Sequence, residues 1–90
     1  MYKQTVTIVN ESGLHARPAS EFVHAASRFA ADITIRRAGK DEAANAKSII
    51  FLLSLGIGQG TEVEIEANGP DEQEAVDTLA ALVAAGFGEQ

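Results

Sequence analysis

A chain of 90 residues, 46% of them hydrophobic, with no cysteine, two histidines and a formal charge of −6 at pH 7, points to one domain, residues 1–90, with one modest core. The missing cysteine excludes a disulfide framework, a thiolate metal site and a cysteine nucleophile, and an acidic chain with few aromatic rings is unsuited to nucleic acid. The longest apolar run, Leu79 to Phe87, falls short of the ~20 residues that span a bilayer, and Met1-Tyr2-Lys3-Gln4-Thr5 lacks the apolar stretch of an export signal, so a cytoplasmic protein without membrane insertion is expected.

In chain order, Val6 and Ile8 alternate with Thr5 and Thr7, which predicts a half-buried strand running to the turn residues Asn10-Glu11-Ser12-Gly13. From Pro18 the period changes to that of a helix. Ala19, Phe22, Val23, Ala26 and Phe29 or Ala30 form its apolar face, and Ser20, Glu21, His24, Ser27 and Arg28 its polar one. A second strand follows at Ile33–Arg36, and Glu42–Asn45 is a candidate for a short edge strand. The apolar stretch Ile49–Leu55 ends at Gly56 and predicts a short helix that either Asn45 or Ser48 could cap. Val63, Ile65 and Ala67 alternate with Glu62, Glu64 and Glu66, the mark of an antiparallel strand with one wet face. The Asn68-Gly69-Pro70 turn opens a last helix with an acidic first turn, an apolar stripe of Ala75, Val76, Leu79, Leu82 and Val83, and Gly86 at its end. Four strands and three amphipathic helices in this order predict an α+β, two-layer open-faced sandwich with every helix on one side of an antiparallel sheet. The charge divides unevenly along these elements: residues 1–47 hold all seven Lys and Arg against five acids, +2, and residues 48–90 hold eight acids and no base, −8.

The loop Gly13-Leu14-His15-Ala16-Arg17-Pro18 does more than connect. Proline suits the first helical turn because the N–H it lacks would have no partner there. Pro18 therefore sets the helix start near Ala16 or Arg17 and places His15 at or just before the cap, beside backbone N–H groups and the positive end of the helix dipole. Arg17 adds a cationic fork on the same turn. Imidazole, guanidinium and helix N-terminus together make a site for an anion, and phosphate is its natural occupant. A polar cap is the plain alternative for His15. Against it, no second catalytic group accompanies the histidine, which leaves imidazole itself as a nucleophile that takes and passes on a phosphoryl group. His24 lies nine residues further on, ~13 Å along the helix, and reads as a solvated surface residue. The short helix is apolar round most of its circumference, so either the Gly56–Gly60 segment covers the excess or the excess is a docking patch.

Three blocks resemble the HPr family of histidine-containing phosphocarriers of the phosphoenolpyruvate-dependent phosphotransferase system, and the likeness covers nearly the whole chain. They are Gly13-Leu14-His15-Ala16-Arg17-Pro18-Ala19-Ser20, Ala46-Lys47-Ser48-Ile49-Ile50 with Leu55-Gly56 and Gly60-Thr61, and Asn68-Gly69-Pro70-Asp71-Glu72. The resemblance implies strand order 1-4-2-3 and a carrier, not an enzyme, that needs no cofactor or metal and works as a monomer. His15 would accept phosphate on Nδ1 from phosphorylated Enzyme I and pass it to IIA domains of sugar permeases. Arg17 would hold the phosphoryl oxygens with the backbone N–H groups of Ala16 and Arg17. Leu14, Ala19, Ser20, Lys47, Ile49, Ile50 and Leu53 would contact partners. Ser48 matches the serine that a dedicated kinase phosphorylates in Gram-positive relatives, which implies an HPr kinase/phosphorylase and a transcriptional regulator as further partners. The stretch from Gly39 to Ser48 is somewhat longer than in typical sugar-system members, and this and the ending Ala85-Gly86-Phe87-Gly88-Glu89 are similar to NPr, the nitrogen-system paralogue. A nitrogen-branch carrier, and a regulatory protein acting through Ser48 alone, are the alternatives.

Overall fold

The computed structural model describes residues 1–88. Its elements run β1 (Tyr2–Thr7), α1 (Ala16–Ala26), β2 (Asp32–Arg37), β3 (Ala43–Asn45), α2 (Ile49–Ser54), β4 (Glu62–Asn68) and α3 (Glu72–Ala84), followed by a tight turn at Gly86–Gly88. Glu89, the last acid in the charge count and the last residue of the nitrogen-type ending, lies outside the described residues.

The four strands form one antiparallel sheet in the order β1-β4-β2-β3. Alternation decides which face is covered. Ile33 and Ile35 of β2 and Val63, Ile65 and Ala67 of β4 are buried, while Asp32, Thr34 and Glu62 between them stay exposed. Against the covered face lie Ala19, Phe22 and Ala26 of α1, Leu52 of α2, and Ala75, Val76, Leu79 and Val83 of α3. Phe22 is the largest of the fully buried side chains, and truncating such a ring costs ~3–5 kcal/mol in comparable cores.

The open face carries a ladder of charge. Arg36 stands opposite Glu64 across β2 and β4, its Nε donates to Glu64 Oε1 at 2.8 Å, and its guanidinium reaches Glu66 at 3.4 Å. Lys3 approaches Glu64 at 3.8 Å from β1. The hydrogen bond from Arg36 holds the Glu64 carboxyl below the usual carboxylate range.

Two boundaries depart from the periodicity. β1 begins at Tyr2, because pairing with Ala67, Glu66 and Ile65 of β4 draws in the polar residues before Thr5. Ile8 lies just beyond β1, yet it still donates to the Thr61 carbonyl at 2.9 Å and accepts from Gly60 N–H at 2.7 Å. α1 stops at Ala26 although its apolar stripe continues to Phe29. There the Ser27 hydroxyl donates back to the Val23 carbonyl at 2.8 Å, and the next bonds are three-residue closures from Arg28 to Ala25 and Phe29 to Ala26. A hydroxyl that bonds its own preceding turn competes with helix continuation.

Candidate functional site

Gly13 sets the loop that precedes α1. Its φ of +68° is left-handed, and a Cβ there would sit 2.7 Å from Gly58 Cα and 2.8 Å from the Ile57 carbonyl oxygen. Only glycine permits that approach. Leu14 N–H then donates to the Ile57 carbonyl at 3.0 Å, tying the loop to the segment that follows α2. The chain leaves this contact with His15 as the N-cap of α1, in extended conformation (φ −122°, ψ 174°).

Ser, Thr, Asp or Asn at a cap normally folds its side chain onto the helix N–H groups. His15 makes no such bond, and its ring is exposed. The first intrahelical bond runs from Ala19 N–H to the His15 carbonyl at 2.9 Å. The N–H groups of Ala16 and Arg17 come before it, at the positive end of the helix, and Pro18 at the third helical position has none to offer. Arg17 is exposed on the same turn, its Nη1 2.6 Å from Glu21 Oε2 one turn along. The His15 side chain is therefore no cap of α1, and the imidazole is presented to solvent beside the positive end of the helix.

The second cluster is α2. Ser48 is its N-cap, half-buried, with no cap bond from its hydroxyl, while the Asn45 side chain accepts Lys47 N–H at 2.9 Å, ahead of the helix. Leu52 is buried, as are Leu55 and Ile57 just after the helix. Ile49, Ile50, Phe51 and Leu53 are exposed, Ile50 to 75% and Phe51 to 61%. The Gly56–Gly60 segment thus does not cover the apolar excess. Phe51 was absent from the residues expected to face partners, although the all-round apolarity of this helix was its signal.

Other expected contact residues are placed differently. Leu14 and Ala19 are 2% and 0% exposed. Both belong to the core, Leu14 because its loop is drawn onto Ile57 and Ala19 because it lies on the inner stripe of α1, so neither side chain can touch a partner. Lys47 is half-buried, and its Nζ donates to the Phe29 carbonyl at 2.7 Å, so its charge is anchored beyond the end of α1 and not held out to a partner. Ser20 is exposed on α1, and His24 is exposed as its place on the polar face requires.

Known proteins resemble this chain in sequence and fold. The family model described as "PTS HPr component phosphorylation site" matches residues 2–85. The phosphocarrier protein HPr of Vibrio cholerae is 49% identical over 83 residues, 92% of this chain and 95% of that protein. The HPr-like protein Crh of Bacillus subtilis is 48% identical over 83 residues, with the same two shares covered. The crystal structure of HPr-C-His from Thermoanaerobacter tengcongensis superposes with a TM-score of 0.93 at 44% identity, covering 100% of this chain and 99% of that one. A four-stranded antiparallel sheet in the order 1-4-2-3 with three helices, a solvent-facing histidine at the first helix end and these likenesses together show that the chain belongs to the HPr family of phosphotransferase-system phosphocarriers.

Proposed function

We propose that the chain is one phosphocarrier domain of a cytoplasmic phosphotransferase system, with His15 as the carrier residue, acting as a monomer and as a protein substrate of its partners without catalysing a reaction of its own. The exposed N-cap imidazole, which makes no cap bond to its own helix, is the observation that carries this reading. An imidazole nitrogen lone pair of His15 attacks the phosphorus of a phosphohistidine on Enzyme I. The new N–P bond forms as the donor's N–P bond breaks, and the donor nitrogen keeps that electron pair. The Ala16 and Arg17 N–H groups and the Arg17 guanidinium, swung from Glu21, bind the phosphoryl oxygens. Transfer to a IIA domain of a sugar permease is the same exchange in the other direction.

The apolar face of α2 supports docking through Ile49, Ile50 and Leu53, with Ser20 from α1 and with Phe51, which the structure adds. Ser48, at the head of that face, is where phosphorylation would place about two negative charges among apolar contacts and oppose docking. A core that closes within one chain supports the monomer.

Incubation with phosphoenolpyruvate and Enzyme I is expected to add one acid-labile phosphate, and His15→Ala to abolish it. A variant that still acquired the phosphate would overturn the assignment. Transfer from the phosphorylated protein to a sugar-type IIA and to a nitrogen-type IIA, measured side by side, separates the two branches.

A further inference from the structure

On the side of α1 away from α2, a groove of about 590 Å³ opens between that helix and the end of α3, lined among others by Glu21, His24, Ala25, Arg28, Leu82 and Phe87. Ser20 and Glu21 on its lining enter the reading of His15, and the rest of it does not. Its size falls within the range of small-molecule sites.

The floor is apolar and specifically built. Phe87 is 3% exposed and adopts φ +55°, between Gly86 at +66° and Gly88 at +75°. A left-handed aromatic residue is costly and persists only where its surroundings demand it. Phe87 and half-buried Leu82 line the groove together with residues of α1.

The rim is polar and lopsided in charge. His24 and Arg28 stand one turn apart on α1, both exposed, and neither side chain has a hydrogen bond or ion pair among the described residues. Among the described residues that line it, the one acid, Glu21, is engaged by Arg17 at 2.6 Å. An apolar floor with an exposed guanidinium and imidazole above it, neither paired among the described residues, complements a ligand that is apolar in body and negative at one end.

We propose that this groove binds a small amphipathic anion, an aromatic ring or short acyl chain bearing a single carboxylate or phosphate. The ring or chain lies on half-buried Leu82 and Ala25, and the head group meets Arg28 and His24.

Titration of the full-length ¹⁵N-labelled protein with phenyl phosphate and with phenylacetate, followed by amide shifts, tests this. Saturable shifts are expected together in the second half of α1 and in Leu82–Gly88, and the tighter of the two probes identifies the head group. Benzyl alcohol is expected to bind more weakly. Arg28→Gln is expected to weaken the anionic probes by about threefold, the worth of an exposed charge contact, and Ala25→Leu, which fills the groove, to abolish the shifts. If Ala25→Leu fails to fold, Arg28→Gln decides alone. Shifts confined to Ala16 and Arg17, equal binding of benzyl alcohol, or indifference to Arg28→Gln would overturn the proposal. So would groove signals that move with protein concentration alone, which would assign the groove to a second copy, or contacts in the free protein between Leu82 and the residues after Gly88.

Discussion

At the scale of single residues, the position of His15 depends on a glycine that never touches a ligand. Gly13 combines left-handed backbone with a contact that a methyl group would violate against the backbone of Ile57 and Gly58. Gly13→Ala is expected to lower stability by ~1–3 kcal/mol and to slow phosphoryl acceptance beyond what the unfolded fraction explains, because the loop must lift off Ile57 and carry His15 with it. Urea unfolding and single-turnover transfer from Enzyme I, measured together, check both. Arg17 poses the opposite question, whether its pairing with Glu21 obstructs its use. An exposed i, i+4 ion pair is worth ~0.3–0.5 kcal/mol, whereas charge-assisted bonds to phosphoryl oxygens are worth ~1.5–3 kcal/mol, so the phosphoryl group wins. Glu21→Gln is therefore expected to change the transfer rate by no more than about twofold, and Arg17→Gln to reduce it by tenfold or more on the same scale. A Glu21→Gln variant as impaired as Arg17→Gln would show that the helix pair positions Arg17 instead of parking it.

Between elements, the connection with the largest consequence is a side chain acting across the fold. Asp71 is the N-cap of α3, yet its carboxylate makes no cap bond there and accepts the N–H groups of Ala30 and Ala31, each at 2.9 Å, so it holds the segment that leads into β2. Those bonds, chiefly that from Ala30, hold its carboxyl below the ordinary aspartate value, with the Lys47 ammonium adding to the effect. A carboxylate depressed in the folded state adds stability that is present above the unfolded value near ~3.9 and is lost as the pH falls through the folded one. Asp71→Asn is expected to lower the melting temperature by several degrees at pH 7 and to match the parent protein below pH 3; a gap that persists in acid would mean that packing, not charge, was lost. None of this was legible in the sequence, where Asp71 read only as an acid suited to a helix dipole, because its partners lie 40 and 41 residues away. The same limit hid the anchoring of Lys47 on Phe29 and the burial of Leu14, both set by how neighbouring loops approach. What periodicity and local chemistry decide was legible. The alternation of Glu62–Ala67 located β4, Pro18 located the start of α1, and His15 was placed at its cap. The end of α1 was not, since a continuing apolar stripe outweighed the single hydroxyl of Ser27.

Across the whole molecule, the division of charge along the chain does not become a charged working face. Of the seven basic residues, Lys3 and Arg36 lie on the open sheet face against Glu64. Arg37 donates to the Gly56 carbonyl at 2.9 Å, Lys47 to that of Phe29, and Arg17 pairs with Glu21. The excess of bases in residues 1–47 is thus largely engaged within the fold, and the exposed large apolar side chains gather on α2, which packs against α1. Docking is then expected to rest on burial more than on steering. Fully burying an exposed aromatic ring contributes ~2 kcal/mol or more at the centre of an interface, whereas dispersed exposed charges are screened beyond a Debye length of ~10 Å at 0.1 M salt. Phe51→Ala is expected to raise the dissociation constant for Enzyme I by about thirtyfold while changing stability by no more than ~0.5 kcal/mol, since the ring packs against little in the free protein. Raising the salt from 0.05 to 0.3 M is expected to change the same constant by less than about threefold. Calorimetric titration of parent and variant at both salt concentrations reads both effects, and a salt dependence that exceeds the Phe51→Ala effect would return the leading role to charge.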